Sequence, residues 1–157
     1  MENKNKIPSD TLDLIYRETK DQLKNQFQAL ENLNTKASII LGFVAVLLGI
    51  IFTNKPIMAC HSYCFFIMAF ILFFISLFSA FFAYKVEDYR LDPDPDALYE
   101  HYRTDESDEV KEQVIVNFIE SFKENQKRIG KRADRVNVSI FTLCIGLILF
   151  VISKLIN

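Results

Sequence analysis

The residues best placed to do chemistry are five cations near the end of the chain, Lys127, Arg128, Lys131, Arg132 and Arg135, its densest charge feature. Such a cluster either anchors a chain against anionic headgroups or holds an anionic ligand such as a nucleotide. Lys85 and Arg90 would approach that ligand from the other side of a loop. A second set is small and uncharged: Ser139, Thr142, Gly146 and Ser153, with Ser76 and Ser79. Residues of this kind let helix backbones approach closely inside lipid. They can equally line a narrow pore that gates by wetting and dewetting rather than by rings of charge.

Other chemistries find less support. Asp92, Asp94 and Asp96 alternate as in a calcium loop, but the glycine and the distal glutamate of an EF-hand are missing, so a solvated acidic loop is expected. His61 and His101 each stand apart from any ligand cluster. Cys60 and Cys64 lie one helical turn apart and Cys144 falls in an apolar run, a pattern of packing residues rather than a disulfide framework. With no phosphate loop, nucleophile elbow or carboxylate pair, neither an enzyme, a cofactor nor a metal is expected. A proton-coupled transporter is disfavoured too, because its ionisable groups would sit within the apolar runs.

Those runs define the elements. No residue from Ala37 to Asn54 is ionisable, the run from Val136 to Ser153 is uncharged, and so is that from Pro56 to Tyr84 with only His61 near its start. At about 1.5 Å per residue, some 18 residues reach roughly 27 Å, close to the ~30 Å hydrocarbon core of a bilayer. The fold class is therefore all-α, a polytopic membrane protein with three transmembrane helices. The first run follows 36 mostly polar residues without a convincing cleavage context, so it is expected to remain in the mature protein. Six basic residues precede it, only Lys55 lies in the first hairpin, and ten fall between Lys85 and Arg135. This asymmetry predicts a cytoplasmic N-terminus and an outer C-terminus.

The polar segments have their own pattern. Leu12, Tyr16, Thr19, Leu23, Gln26, Leu30 and Leu33 recur at alternating four and three residue steps, interrupted by Thr19 and Gln26. With Ser9 as N-cap, one helix is expected from about Asp10 to Phe52, with Ser38, Gly42, Ala45 and Gly49 keeping the same rhythm in the membrane. Ala97 to Arg103 predicts a short helix. From Ser107 the steps resume through Ile115, Phe118, Phe122, Asn125 and Ile129, giving a last helix of nearly fifty residues, roughly 73 Å long. The two amphipathic segments are expected to pair as a cytoplasmic stalk, with Asn34 and Asn125 fixing its register. The boundaries read as 1–36 for the N-terminal amphipathic helix, 37–84 for the two-span hairpin, 85–135 for the acidic loop and second amphipathic helix, and 136–157 for the third span.

Asn34-Thr35-Lys36-Ala37-Ser38 with Leu41 and Gly42 behind it, a two-span hairpin, a Pro-containing acidic link and a helix carrying Asn125 before a last span resemble the small membrane effectors of bacterial antiphage nucleotide signalling. The nearest groups are the Pycsar transmembrane effectors and the SLATT families, over about Leu12 to Ile156. The resemblance implies an inner-membrane protein that stays silent until a defence signal arrives, then oligomerises or opens, permeabilises the membrane and stops growth. It also implies a nucleotide second messenger made by a partner synthase, sensed here by the stalk and basic cluster or through a partner protein. A homo-oligomer in the lipid membrane is expected, with no nucleic-acid duplex as partner. The alternative is a non-conducting scaffold or regulatory subunit whose stalk recruits a cytoplasmic partner.

Overall fold

A computed structural model describes residues 7–53, 60–85, 89–90, 96, 99–100 and 106–156, the side chains of Cys60 and His61 excepted. The described residues form three long helices: α1 (Ser9–Thr53), α2 (Cys60–Tyr84) and α3 (Ser107–Leu155). Each is long and apolar enough to cross a membrane. Asp92, Asp94, His101 and most of the short helix expected over 97–103 lie outside the described residues. Helices α1 and α3 begin slightly earlier than a serine cap would place them. The Leu12 N–H bonds the Pro8 carbonyl and the Val110 N–H bonds that of Glu106, which puts Ser9 and Ser107 inside the first turn. Ser9 directs its hydroxyl to Asp108 instead. Gly130 does not interrupt α3, because the neighbouring hydrogen bonds of a long helix absorb one glycine at about 1 kcal/mol.

The chain divides into two compact units. The polar unit comprises Met1–Leu30 with Glu87–Ile129. Its helices meet through Leu12, Leu23, Leu30, Val114, Ile115 and Ile129, all buried. Gln26, which interrupts the apolar pattern of the sequence, is a cross-link between them. Its amide nitrogen donates to the Phe122 carbonyl and to Gln126 Oε1, both at 3.0 Å. Thr19, the other interruption, returns its hydroxyl to the carbonyls of Ile15 and Tyr16 on its own helix. Asn125 does not act as an interhelical asparagine. It is fully buried and clasps the backbone of Arg90, accepting from its N–H at 3.0 Å and donating to its carbonyl at 2.9 Å. The register device expected in the stalk is thus a clip for the chain that follows α2.

Lys111 and Asp13 pair at 2.6 Å in the same unit. That hydrogen bond holds the Asp13 carboxyl below its usual range and the Lys111 ammonium above its own, outweighing the opposing effect of desolvation at both. A depressed acid stabilises above its unfolded value and loses this as pH falls, whereas a raised base loses it as pH rises. The pair should therefore contribute a constant amount through neutral pH. Both side chains are partly exposed, so the amount is small. Asp13→Asn should lower the melting temperature slightly at pH 7, and the difference should fade as pH falls below the ordinary carboxylate range and through the lower folded-state value of Asp13. At about 1 M salt, with a screening length near 3 Å, the neutral-pH difference should shrink.

The membrane unit comprises Glu31–Val86 with Gly130–Asn157. Its core is Ala37, Ile40, Val44, Leu48 and Ile51 of α1, Ala69, Phe73, Ala80 and Ala83 of α2, and Val136 and Leu143 of α3. Phenylalanine rings fill the spaces between: Phe52 meets Phe70 edge-on at 5.8 Å, and Phe150 lies 6.3 Å from both Phe66 and Phe73. The apolar stripe of α1 thus runs on from Leu33 through Ala37. Ser38, Gly42, Ala45 and Gly49, expected to share its rhythm, lie one residue further, about 100° round the helix, and are exposed.

Candidate functional site

The seam between α2 and α3 collects most of the small residues that the sequence offers for a pore or for packing. The helices run antiparallel, and the seam can be followed from one end to the other. At one end the Ser62 hydroxyl donates to the carbonyl of buried Ser153. Further along, Gly146 lies so close to α2 that an ideal Cβ there would stand 2.8 Å from Phe73 Cε1 and 3.4 Å from the Ala69 carbonyl oxygen. Next come Ser76 and Ser139, both fully buried. Each donates to the other's backbone carbonyl, at 2.9 and 2.7 Å. Ser79 then donates to the Arg135 carbonyl at 2.8 Å. Thr142 takes no part in the seam and bonds the Val138 and Ser139 carbonyls of its own helix. In lipid no water competes for these hydroxyls, and each such bond stabilises by about 0.6 kcal/mol on average.

The basic residues meet different partners. Arg132 is only 2% exposed. Its Nη1 donates to Asn34 Oδ1 at 3.0 Å and its Nη2 to the Lys85 carbonyl. Arg135 Nη1 donates to the Phe82 carbonyl at 3.0 Å. The last carbonyls of a helix have no partner within it and carry the negative end of its dipole, so two guanidinium groups of α3 close the end of α2. Arg132 was identifiable from its spacing: it falls on the stripe Asn125, Ile129, Arg132, Val136, Ser139 that faces inward. In the polar unit Arg128 pairs with Glu124 at 2.7 Å. Arg90 approaches Glu120 at 3.5 Å and Glu124 at 3.9 Å. Lys127, Lys131 and Lys85 are exposed. Of the five cations, Arg132 and Arg135 hold carbonyls at the end of α2 and Arg128 pairs with Glu124, whereas Lys127 and Lys131 are exposed.

Among the described residues no three His, Cys, Asp or Glu side chains converge as metal ligands. Cys64 and Cys144 are free thiols facing outward. The polar unit also carries an open groove of about 220 Å³ lined by Thr19, Gln22, Phe118, Ile119, Phe122 and Lys123.

Residues 18–157 match the family model of the Pycsar effector protein domain. No curated protein and no solved structure matches the chain.

Proposed function

Since the chain belongs to the Pycsar transmembrane effector family, a membrane effector of antiphage defence, we propose that it acts by assembling into homo-oligomers that form a pore or otherwise disrupt the bacterial inner membrane. The observation that carries this reading is the outward-facing line Ser38, Gly42, Ala45 and Gly49 of α1. An added Cβ at Gly42 or Gly49 would meet nothing within 4 Å in the protomer, so this face leaves room for a neighbour's backbone. Close packing of small residues is what drives helices together in lipid. The candidate pore residues of the seam, Ser76, Ser139, Gly146 and Ser153, are engaged with one another in this arrangement. Lining a pore with them requires α2 and α3 to part along the seam.

The trigger in this reading is a nucleotide second messenger or a partner protein. Lys127 and Lys131, both exposed, are each a proposed cationic contact for an anionic trigger, in competition with lipid headgroups.

The test is ionic current through purified protein in planar bilayers, alongside depolarisation of cells that express it. Gly42→Leu with Gly49→Leu should leave the protomer folded and cut current at least about tenfold, the effect of some 1.4 kcal/mol in the assembly equilibrium. A folded parent protein that stays silent with and without candidate nucleotides would instead favour the non-conducting scaffold.

A further inference from the structure

The arginine contacts at the end of α2 do more than satisfy a helix terminus. Arg132 bonds elements of all three membrane helices. It belongs to α3, its Nη1 holds Asn34 of α1, and its Nη2 holds the carbonyl of Lys85 at the end of α2. Arg135 and Ser79 repeat the α2–α3 part of this connection in both directions, a guanidinium to the Phe82 carbonyl and a hydroxyl to the Arg135 carbonyl. All of these bonds lie at the same end of the seam, next to the reciprocal pair Ser76 and Ser139. Among the described residues, the opposite end carries the serine contact of Ser62 with Ser153. A buried guanidinium is stable only while its acceptors surround it, so the connection is held or lost as a unit rather than loosened by degrees.

We propose that this Arg132 knot is a lock on the seam. It keeps the α2 and α3 ends together in the silent protein, so that Ser76 and Ser139 stay away from water, and activation has to break it. The proposal rests on the reading that the seam parts when the protein acts, and it adds where the parting starts and which residue opposes it. Asn34 is the acceptor that ties α1 to the lock. Ser38, the first residue of the outward-facing small line, hydrogen-bonds the Asn34 carbonyl at 2.8 Å. An assembly contact on α1 therefore reaches the lock through one turn of helix.

The experiment uses the full chain in vesicles of phosphatidylethanolamine and phosphatidylglycerol, with Cys60, Cys64 and Cys144 replaced by alanine. A single reporter thiol is placed by Ser139→Cys or by Ser153→Cys, and labelling by a membrane-impermeant maleimide added on both sides is timed. Adding Arg132→Gln should speed labelling at position 139 by about 10- to 100-fold, the range expected when charge-assisted hydrogen bonds that hold a closed state are lost. Labelling at position 153 should stay at its parent rate, and Arg132→Lys should recover part of the protection. Asn34→Ala, which leaves the Lys85 contact in place, should give a smaller change of the same sign and provides the reading if Arg132→Gln does not accumulate. An unchanged rate at position 139 overturns the lock, and so does equal acceleration at both positions, which would report general loss of packing. Current measured on the same vesicles separates the two readings. Faster labelling at position 139 without current keeps the lock and rejects the pore, whereas current with unchanged labelling rejects the lock alone.

Discussion

Gly146→Ala should destabilise the membrane unit by about 1–3 kcal/mol, the usual effect of forcing one extra carbon into a packed interior, and Gly146→Leu should prevent the unit from forming. The added Cβ would lie 2.8 Å from Phe73 Cε1 and 3.0 Å from Cδ1, closer than carbon atoms approach one another. Ring ends can often swing aside, but Phe73 is fully buried, with Phe150 6.3 Å from it, and the Ala69 carbonyl oxygen of the same helix already stands 3.4 Å from the added Cβ. The two helix backbones would have to separate. Loss of the folded species on heating, followed by size-exclusion chromatography in detergent, measures the effect. Gly42→Ala and Gly49→Ala are the controls: they meet open space, and alanine favours a helix over glycine by about 1 kcal/mol, so the protomer should hold or gain stability. Phe73→Leu should restore much of the loss in a Gly146→Ala background if the two residues act through one contact. A Gly146→Ala protein as stable as its parent would disprove the close approach. The same geometry limits what Gly146→Leu can say about conduction, since current would disappear through misfolding whether or not a pore passes this residue.

Asn125→Leu should weaken the polar unit by about 2–4 kcal/mol, because two hydrogen bonds are removed together and the Arg90 N–H and carbonyl lose the partner that clasps them. Leucine is close to asparagine in size and favours a helix, so α3 itself should persist and the damage should concentrate at Arg90. Trypsin cuts after arginine, and a backbone held by two bonds is a poor substrate. Cleavage after Arg90 should therefore accelerate by roughly 10- to 100-fold in Asn125→Leu, with the size in detergent unchanged. Asn125→Asp should behave similarly, since a carboxylate can accept from the Arg90 N–H but turns an oxygen towards its carbonyl. A changed oligomer distribution with unchanged cleavage at Arg90 would restore the coiled-coil role that the spacing of Asn125 suggests. The salt bridges of Arg90 with Glu120 and Glu124 are no substitute for the clip, since these side chains are 40 to 57% exposed and water screens them.

What the chain determined by itself was the part governed by local composition. Three apolar runs of sufficient length, with polar stretches that repeat every three and four residues, lead to three long helices because backbone groups in lipid must bond within their own segment. The short motif around Asn34 and the order of the segments pointed to the family that the match over residues 18–157 establishes. Even Arg132 was readable in principle, as a charge lying on a stripe of buried positions. What the tertiary structure decided was which face of each helix meets which neighbour. Periodicity places residues around an axis but does not choose between adjacent stripes, and in lipid it cannot use hydrophobicity to choose, because every face is apolar. Hence Ser38, Gly42, Ala45 and Gly49 look equivalent in sequence to Ser76, Ser139 and Gly146, although the first set faces outward and the second closes the seam. Hydrogen-bond partners more than thirty residues apart were likewise invisible. Asn125 matched a helix-to-helix contact by spacing, and Arg132 and Arg135 matched a site for an anionic ligand by charge. Asn125 takes the Arg90 N–H and carbonyl, Arg135 the Phe82 carbonyl, and Arg132 the Lys85 carbonyl beside the Asn34 side chain; backbone groups like these are present at every residue, so no side-chain pattern announces them.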